Sequence, residues 1–178
     1  MVTAYIISCA ITATLSSLFG ILVYLKNRTS IVNKICMLLN FAVSLWTWCI
    51  IGRELSIEKP MALFFIRLSY LGVIFIPPIF LHFVISITKE VRNKSVLPIY
   101  FLSLVFLISN FSPLFIKGAG PILSFRYYGT PGVIYPFFVL MFVTVIIYAH
   151  YILIKYFRKS EGQTRNQIKY LLFFHYLL

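Results

Sequence analysis

Acidic residues are almost absent from this chain of 178 residues. It has four glutamates and no aspartate, against sixteen lysines and arginines and a formal net charge of +12. Enzymes that use two carboxyl groups as acid and base need both side chains in one site. Because Glu54, Glu58, Glu90 and Glu161 are the only acidic residues, we expect no catalytic site of this kind.

The sequence also lacks the motifs of metal, phosphate and cofactor sites. It contains no glycine-rich phosphate loop, no Gly-x-Ser-x-Gly elbow and no His-Glu-x-x-His sequence. Its cysteines, Cys9, Cys36 and Cys49, lie in apolar stretches without the spacing of metal ligands. We expect small buried residues there, with a disulfide between Cys9 and Cys49 as the less favoured alternative. We therefore expect no metal and no cofactor, and we expect His82 and His150 to be hydrogen-bonded helix contacts or interfacial residues rather than metal ligands.

Charged residues of both signs are scarce as well. They make up 11% of the chain, whereas hydrophobic residues make up 61% and the mean hydropathy is +0.94. Soluble domains carry about a quarter charged residues, so this composition predicts an integral membrane protein. A strong positive charge can indicate nucleic-acid binding, but here the basic residues lie in short segments between apolar runs. We therefore expect no nucleic-acid partner.

Long apolar runs predict an all-α membrane domain that covers residues 1–178. A helix needs about 17–25 mainly apolar residues to cross the hydrocarbon core. Pro77 and Pro78 are expected to kink the third helix, because proline removes backbone hydrogen bonds. Residues 117–132, which are rich in glycine, proline and aromatic residues, are expected to form an interfacial cap. The predicted spans cover residues 4–25, 35–52, 61–88, 95–116 and 133–157, with an incomplete sixth at 170–178.

The basic residues alternate between the connecting segments in a way that predicts an orientation. The first, third and fifth connections carry eleven of the sixteen lysines and arginines, while the second and fourth together carry four. Cytoplasmic loops are enriched in basic residues, so we expect the N-terminus outside and these three loops at anionic headgroups of the cytoplasmic leaflet. The residues expected to fix this topology are Lys26, Arg28, Lys34, Lys89, Arg92, Lys94, Arg158, Lys159, Arg165 and Lys169.

Arg67 is a charged residue inside a predicted span, which makes it a candidate functional residue. One alternative is an arginine whose side chain snorkels to the outer interface. The other is a counter-charge within the bundle, which would face either a ligand or one of the two glutamates Glu54 and Glu58. For this second alternative we expect an outer pocket between the second and third helices that binds an anionic or polar ligand. The predicted aromatic walls of this pocket are Trp46, Trp48 and Tyr70.

Several motifs follow one another along the chain. They are Trp46 and Trp48, the sequence Arg-Leu-Ser-Tyr-Leu-Gly at 67–72, Pro77-Pro78, Leu81-His82-Phe83, the aromatic segment 132–151, and Arg-x-Gln-Ile-Lys-Tyr at 165–170. With these motifs the chain resembles the N-terminal seven-helix membrane region that precedes bacterial sensor histidine kinases. The resemblance covers nearly all of the chain.

The resemblance implies a sensory input region in the bacterial cytoplasmic membrane. Such a region changes its helix packing in response to a small ligand or to the membrane itself. It also implies further membrane crossings and a cytoplasmic output domain, so we expect that the chain itself is not an enzyme. The sequence stops inside the sixth predicted helix, and we expect a truncation or a frameshift there, with a natural end as the alternative.

Two other classes of function remain open from the sequence. A fragment of a membrane transporter would be favoured by a matched second half or by a carboxylate inside a span, and the sequence shows neither. A stand-alone multi-pass accessory protein would assemble with a partner through the fifth connection or the first helix. A homodimer through helix packing is also expected. The small residues that would allow close packing of the first helix are Ala10, Ala13, Ser17 and Gly20.

Overall fold

The computed structural model of the protein describes residues 2–89, 96–162, 165, 168 and 169. Within these residues we number the six longer helices and the two strands in chain order. The helices are α1 (Val2–Lys26), α2 (Ile31–Leu55), α3 (Lys59–Val73), α4 (Ile76–Thr88), α5 (Leu97–Asn110) and α6 (Tyr135–Lys159). The strands, β1 (Ile116–Ile122) and β2 (Phe125–Pro131), pair antiparallel as one hairpin.

Four helical stretches of the described residues are long and apolar enough to cross a membrane: α1, α2, the consecutive pair α3–α4, and α6. Helix α5 is apolar but has 14 residues, about 21 Å, which is shorter than the roughly 30 Å hydrocarbon core. The predicted fold class, an all-α membrane protein, is thus confirmed in its main feature. The hairpin between α5 and α6 is an addition that the sequence did not predict.

The fourth predicted helix, over residues 95–116, is wrong at its C-terminal end. Helix α5 ends at Asn110, and strand β1 begins within the range predicted as helical. Ser112 Oγ accepts a hydrogen bond from the Leu114 N–H at 3.2 Å, which turns the chain away from the helix axis. Pro113 has no backbone N–H to donate and so cannot continue the helix.

The third predicted helix, over residues 61–88, is two helices. Pro77 and Pro78 lie in the first turn of α4, where a missing N–H is tolerated. They cannot donate to the carbonyls four residues earlier, so the helical ladder breaks between α3 and α4. One of those carbonyls, Ile74 O, accepts a hydrogen bond from the buried Ser103 hydroxyl of α5 at 3.4 Å. The predicted kink is therefore a break in the helix. A hydroxyl of the neighbouring helix α5 bonds one of the carbonyls that the break leaves without a helical partner.

The other predicted helices have different ends from those expected. Helix α2 extends beyond the predicted 35–52 on both sides: Ser30 caps its start, and Ser56 donates its hydroxyl to the carbonyl four residues earlier at 2.7 Å. Arg53 and Glu54 thus lie in a helix rather than in a loop. The predicted helices 4–25 and 133–157 correspond to α1 and α6 with small shifts, while 170–178 lies outside the described residues.

Helix α1 packs on α2 through its small residues. Ala13 is fully buried, and Ser44 of α2 donates its hydroxyl to Ala13 O at 3.0 Å. The hydroxyl oxygens of Ser17 and Ser44 lie 2.6 Å apart, and a Cβ on Gly20 would lie only 3.0 Å from Asn40 Cβ. Residues without bulk allow this close approach of two helices. The small face of α1 is therefore covered by α2 of the same chain.

The main core lies where α4 packs on α6 and extends towards the hairpin. In a bilayer, such helix contacts stabilise through close van der Waals packing more than through exclusion of water. The core residues of these two helices are Leu81, Val84 and Ile85 of α4 and Ala149, Ile152 and Leu153 of α6, all at most 3% exposed.

Candidate functional site at the hairpin-covered end

The hairpin lies over the end of the bundle where α1 begins and α2 ends. Phe125 packs edge-on against Tyr5 of α1, with ring centroids 5.3 Å apart. Tyr127 donates its hydroxyl to Ile57 O, in the connection between α2 and α3, at 3.1 Å. Both strands also pack against α3. The hairpin therefore contacts α1, α3 and the connection between α2 and α3, and it caps this end.

A buried ion pair lies beneath the hairpin. Arg53 donates hydrogen bonds from both Nη2 and Nε to Glu54 Oε1, and the Nε–Oε1 distance is 2.9 Å. The side chains of Arg53 and Glu54 are only 10% and 4% exposed. The Arg53 guanidinium also lies 5.6 Å from the ring centroid of Phe125 and 5.1 Å from that of Tyr128. Charges out of water need such partners. The pair therefore fastens the hairpin to α2.

Sequence reasoning missed this pair because it ended the second helix at residue 52. A usable signal exists, since Arg53 follows Cys49 by four residues and so falls on the same face of α2. Cys49 is 3% exposed, which marks that face as buried. Cys9, Cys36 and Cys49 are all buried free thiols, as expected from their apolar surroundings.

Arg67 contacts the turn between α5 and β1. Its Nη1 donates to Phe111 O at 3.3 Å and its Nη2 to Ile116 O at 3.5 Å. Asn110, fully buried at the end of α5, donates its side-chain amide to Arg67 O at 2.8 Å. Glu54, one of the alternative partners considered for Arg67, is paired with Arg53 within α2 instead. Arg67 therefore joins α3 to the base of the hairpin.

Tyr70 lies in an aromatic cluster that connects α3 to α6. Its ring centroid is 5.1 Å from that of Phe115 and 6.1 Å from that of Phe138, both in edge-on geometry. Its hydroxyl donates to the Tyr135 hydroxyl at 3.3 Å. Edge-on aromatic pairs are favourable beyond their burial. Tyr70 thus contributes to packing just beneath the hairpin.

Trp46 and Trp48 lie on the outer surface of α2, where 39% and 49% of each residue remain exposed. Arg67 lines a shallow groove between α3 and Phe111, and neither the two tryptophans nor Tyr70 line it. The structure thus distributes the four predicted ligand residues over three environments: an exposed helix surface, an aromatic core and the α3–α5 contact. A pocket with all four as walls is not formed, and their role in ligand binding stays a prediction.

The two histidines among the described residues, His82 and His150, both have hydrogen-bond partners. His82 Nδ1 lies 3.4 Å from the Tyr100 hydroxyl, and His150 Nδ1 lies 2.7 Å from Ile146 O, so it carries the proton of that bond. Within the part of the chain that the structure describes, His, Cys and Glu side chains form no group of three that could hold a metal.

Eight of the ten basic residues expected to fix the topology are described, and they lie at the end of the bundle opposite the hairpin. Those of α1, α2, α4 and α6 are exposed at the ends of these helices, and two more follow α6. Arg92 and Lys94 lie outside the described residues. The exposed residues at this end are Lys26, Arg28, Lys34, Lys89, Arg158, Lys159, Arg165 and Lys169.

Comparison with protein families gives one match. The model of the N-terminal 7TM region of histidine kinase matches residues 8–174, which is most of the chain. This match confirms the resemblance inferred from the sequence motifs. No curated protein and no solved structure matches the chain.

Proposed function

The chain belongs to the family of N-terminal 7TM regions of histidine kinases, and from this premise we propose that it is the sensory input of a two-component receptor. The family match is the observation that carries the proposal. A region of this kind is a non-catalytic input, so phosphoryl transfer would belong to a separate output domain. The long apolar helices of the described residues agree with a location in a membrane.

We propose that the hairpin-covered end faces outwards from a bacterial cytoplasmic membrane. The exposed basic residues at the opposite end support this orientation, because cytoplasmic loops are enriched in lysine and arginine. There they would contact anionic headgroups. In this arrangement the four long helical stretches cross the membrane, and α5, which is too short to do so alone, crosses it together with the turn at residues 111–115. Trp46 and Trp48 would anchor α2 near the outer interface.

The stimulus would act on the hairpin-covered end and change the packing of α3 and α4. Arg67 and Tyr70 connect α3 to the hairpin base and to α6, so a shift of the hairpin would move α3. The break between α3 and α4 allows the two segments to move separately, which a continuous helix would resist. A stimulus can only shift this equilibrium if it binds one packing more tightly than the other.

Gly72 offers a test, because it holds α3 against α2. A Cβ at this position would lie only 2.4 Å from Ala42 O, so Gly72→Ala must move the two helices apart. With the chain joined to a histidine kinase output domain, we expect this variant to change autophosphorylation in membrane vesicles several-fold. Gly118→Ala is the matched control, since a Cβ there meets nothing within 4 Å. Equal autophosphorylation in Gly72→Ala and the parent would contradict the proposal.

A further inference from the structure

An apolar groove with a single cation, Arg67, runs along the exposed side of α3. Its volume is about 330 Å³. The lining residues on α3 recur at three- and four-residue spacing, so they form one stripe about 16 Å long. Phe64 and Phe111 in its walls are 60% and 65% exposed, so no described helix covers it. The apolar lining residues are Pro60, Leu63, Phe64, Leu68, Leu71 and Phe111.

The cation in this groove is not neutralised by the described residues. The bonds of Arg67 to Phe111 O and Ile116 O, at 3.3 and 3.5 Å, are long for hydrogen bonds. Its buried Nε finds no partner among the described residues, and the guanidinium has more N–H donors than two carbonyls accept. Glu54 is paired elsewhere, and Glu58 precedes Arg67 by about 13 Å of helix.

The position of Arg67 favours a ligand that comes from the membrane. It lies about 12 Å along α3 from the start of that helix, where a charge needs water or a partner. Its side chain leans towards the helix N-terminus, so Leu68 and Leu71 lie deeper in the bilayer than the guanidinium. A small soluble anion would satisfy the charge but would leave the apolar stripe unfilled.

We propose that this groove binds one anionic phospholipid of the leaflet at the hairpin-covered end. The phosphate contacts the Arg67 guanidinium, which suits bidentate recognition of phosphate oxygens. One acyl chain lies along Leu68 and Leu71. The proposal goes beyond the sensory function, because it holds whether or not the chain controls a kinase.

Photocrosslinking tests the site in the full chain, reconstituted in phosphatidylcholine nanodiscs. The probe is phosphatidylglycerol with a diazirine on one acyl chain, and adducts are mapped by mass spectrometry. We expect adducts on residues 60–71 and on Phe111, displaced by unlabelled phosphatidylglycerol but not by phosphatidylcholine. Arg67→Gln should reduce them about fivefold. Lys117→Gln removes a charge from the exposed hairpin surface at the same end and should leave them unchanged.

A second variant separates lipid binding from a structural role of Arg67. Leu71→Trp keeps the guanidinium and its carbonyl contacts but fills the groove, so it should reduce the adducts as much as Arg67→Gln. The proposal is overturned by any of three results. These are unchanged adducts in Leu71→Trp, equal displacement by phosphatidylcholine, and crosslinks between two copies of the chain at this groove in place of lipid adducts.

Discussion

At the scale of the residue, two arginines at the hairpin-covered end have different surroundings. Arg53 has the Glu54 carboxylate beside it and the rings of Phe125 and Tyr128 nearby. Arg67 has two carbonyl oxygens and no carboxylate among the described residues within ion-pair distance. Arg53 is thus neutralised within the fold, and its guanidinium contacts the hairpin. The guanidinium of Arg67 can still accept an external anion as a partner.

Replacing Arg53 by glutamine should loosen the hairpin. Glu54 would stay buried without its cation, and breaking a buried ion pair costs about 3–5 kcal/mol. We expect a lower melting temperature in detergent and faster chymotrypsin cleavage at the aromatic residues of β2. Arg126→Gln is the control, because Arg126 is exposed on the same strand. If Arg53→Gln melts and is cleaved like the parent, the pair does not fasten the hairpin.

At the scale of the element, the helices were predictable and the hairpin was not. Apolar runs of membrane length exist in the sequence itself, so α1, α2 and α6 follow from composition and length. The strands have no alternation of apolar and polar residues, and their turn lacks an Asn-Gly or Asp-Gly pair. Leu123 in that turn has a φ of 51°, a conformation that turns usually assign to glycine or asparagine.

The candidate site was predictable only where residues share one helix. Arg67 and Tyr70 were correctly placed on the third helix, but they contact different neighbours, α5 and α6. Which helix lies beside another depends on tertiary packing, and spacing along the chain does not encode it. For the same reason Trp46 and Trp48 were expected near Arg67, while the structure places them on an exposed surface of α2.

The break between α3 and α4 should be required for signalling. In Pro77→Ala/Pro78→Ala, the restored N–H groups can pair with the carbonyls four residues earlier, and the two segments can form one continuous helix. With the chain joined to a histidine kinase output domain, we expect this variant to insert into the membrane normally. Its autophosphorylation should no longer change with the stimulus, because the two segments cannot move separately. Pro98→Ala, at the exposed start of α5, should respond normally. A normal response from the double variant would show that the break is not used.

At the scale of the whole molecule, the two ends of the bundle differ in kind. One end is closed by a hairpin whose aromatic residues contact α1 and Arg53 of α2, and whose strands pack against α3. The other carries exposed lysines and arginines at the ends of the helices. This polarity agrees with an input region that senses on one side of a membrane and passes the change in packing to the other.

Cysteine accessibility tests this central claim most directly. Single cysteines replace Ser124 at the hairpin turn and Thr29 between α1 and α2, both exposed, in a chain whose Cys9, Cys36 and Cys49 are alanine. A membrane-impermeant maleimide is added to intact cells. The proposed orientation predicts that Ser124→Cys is labelled at once and Thr29→Cys only after the membrane is opened. Labelling of Thr29→Cys in intact cells with protection of Ser124→Cys would contradict it.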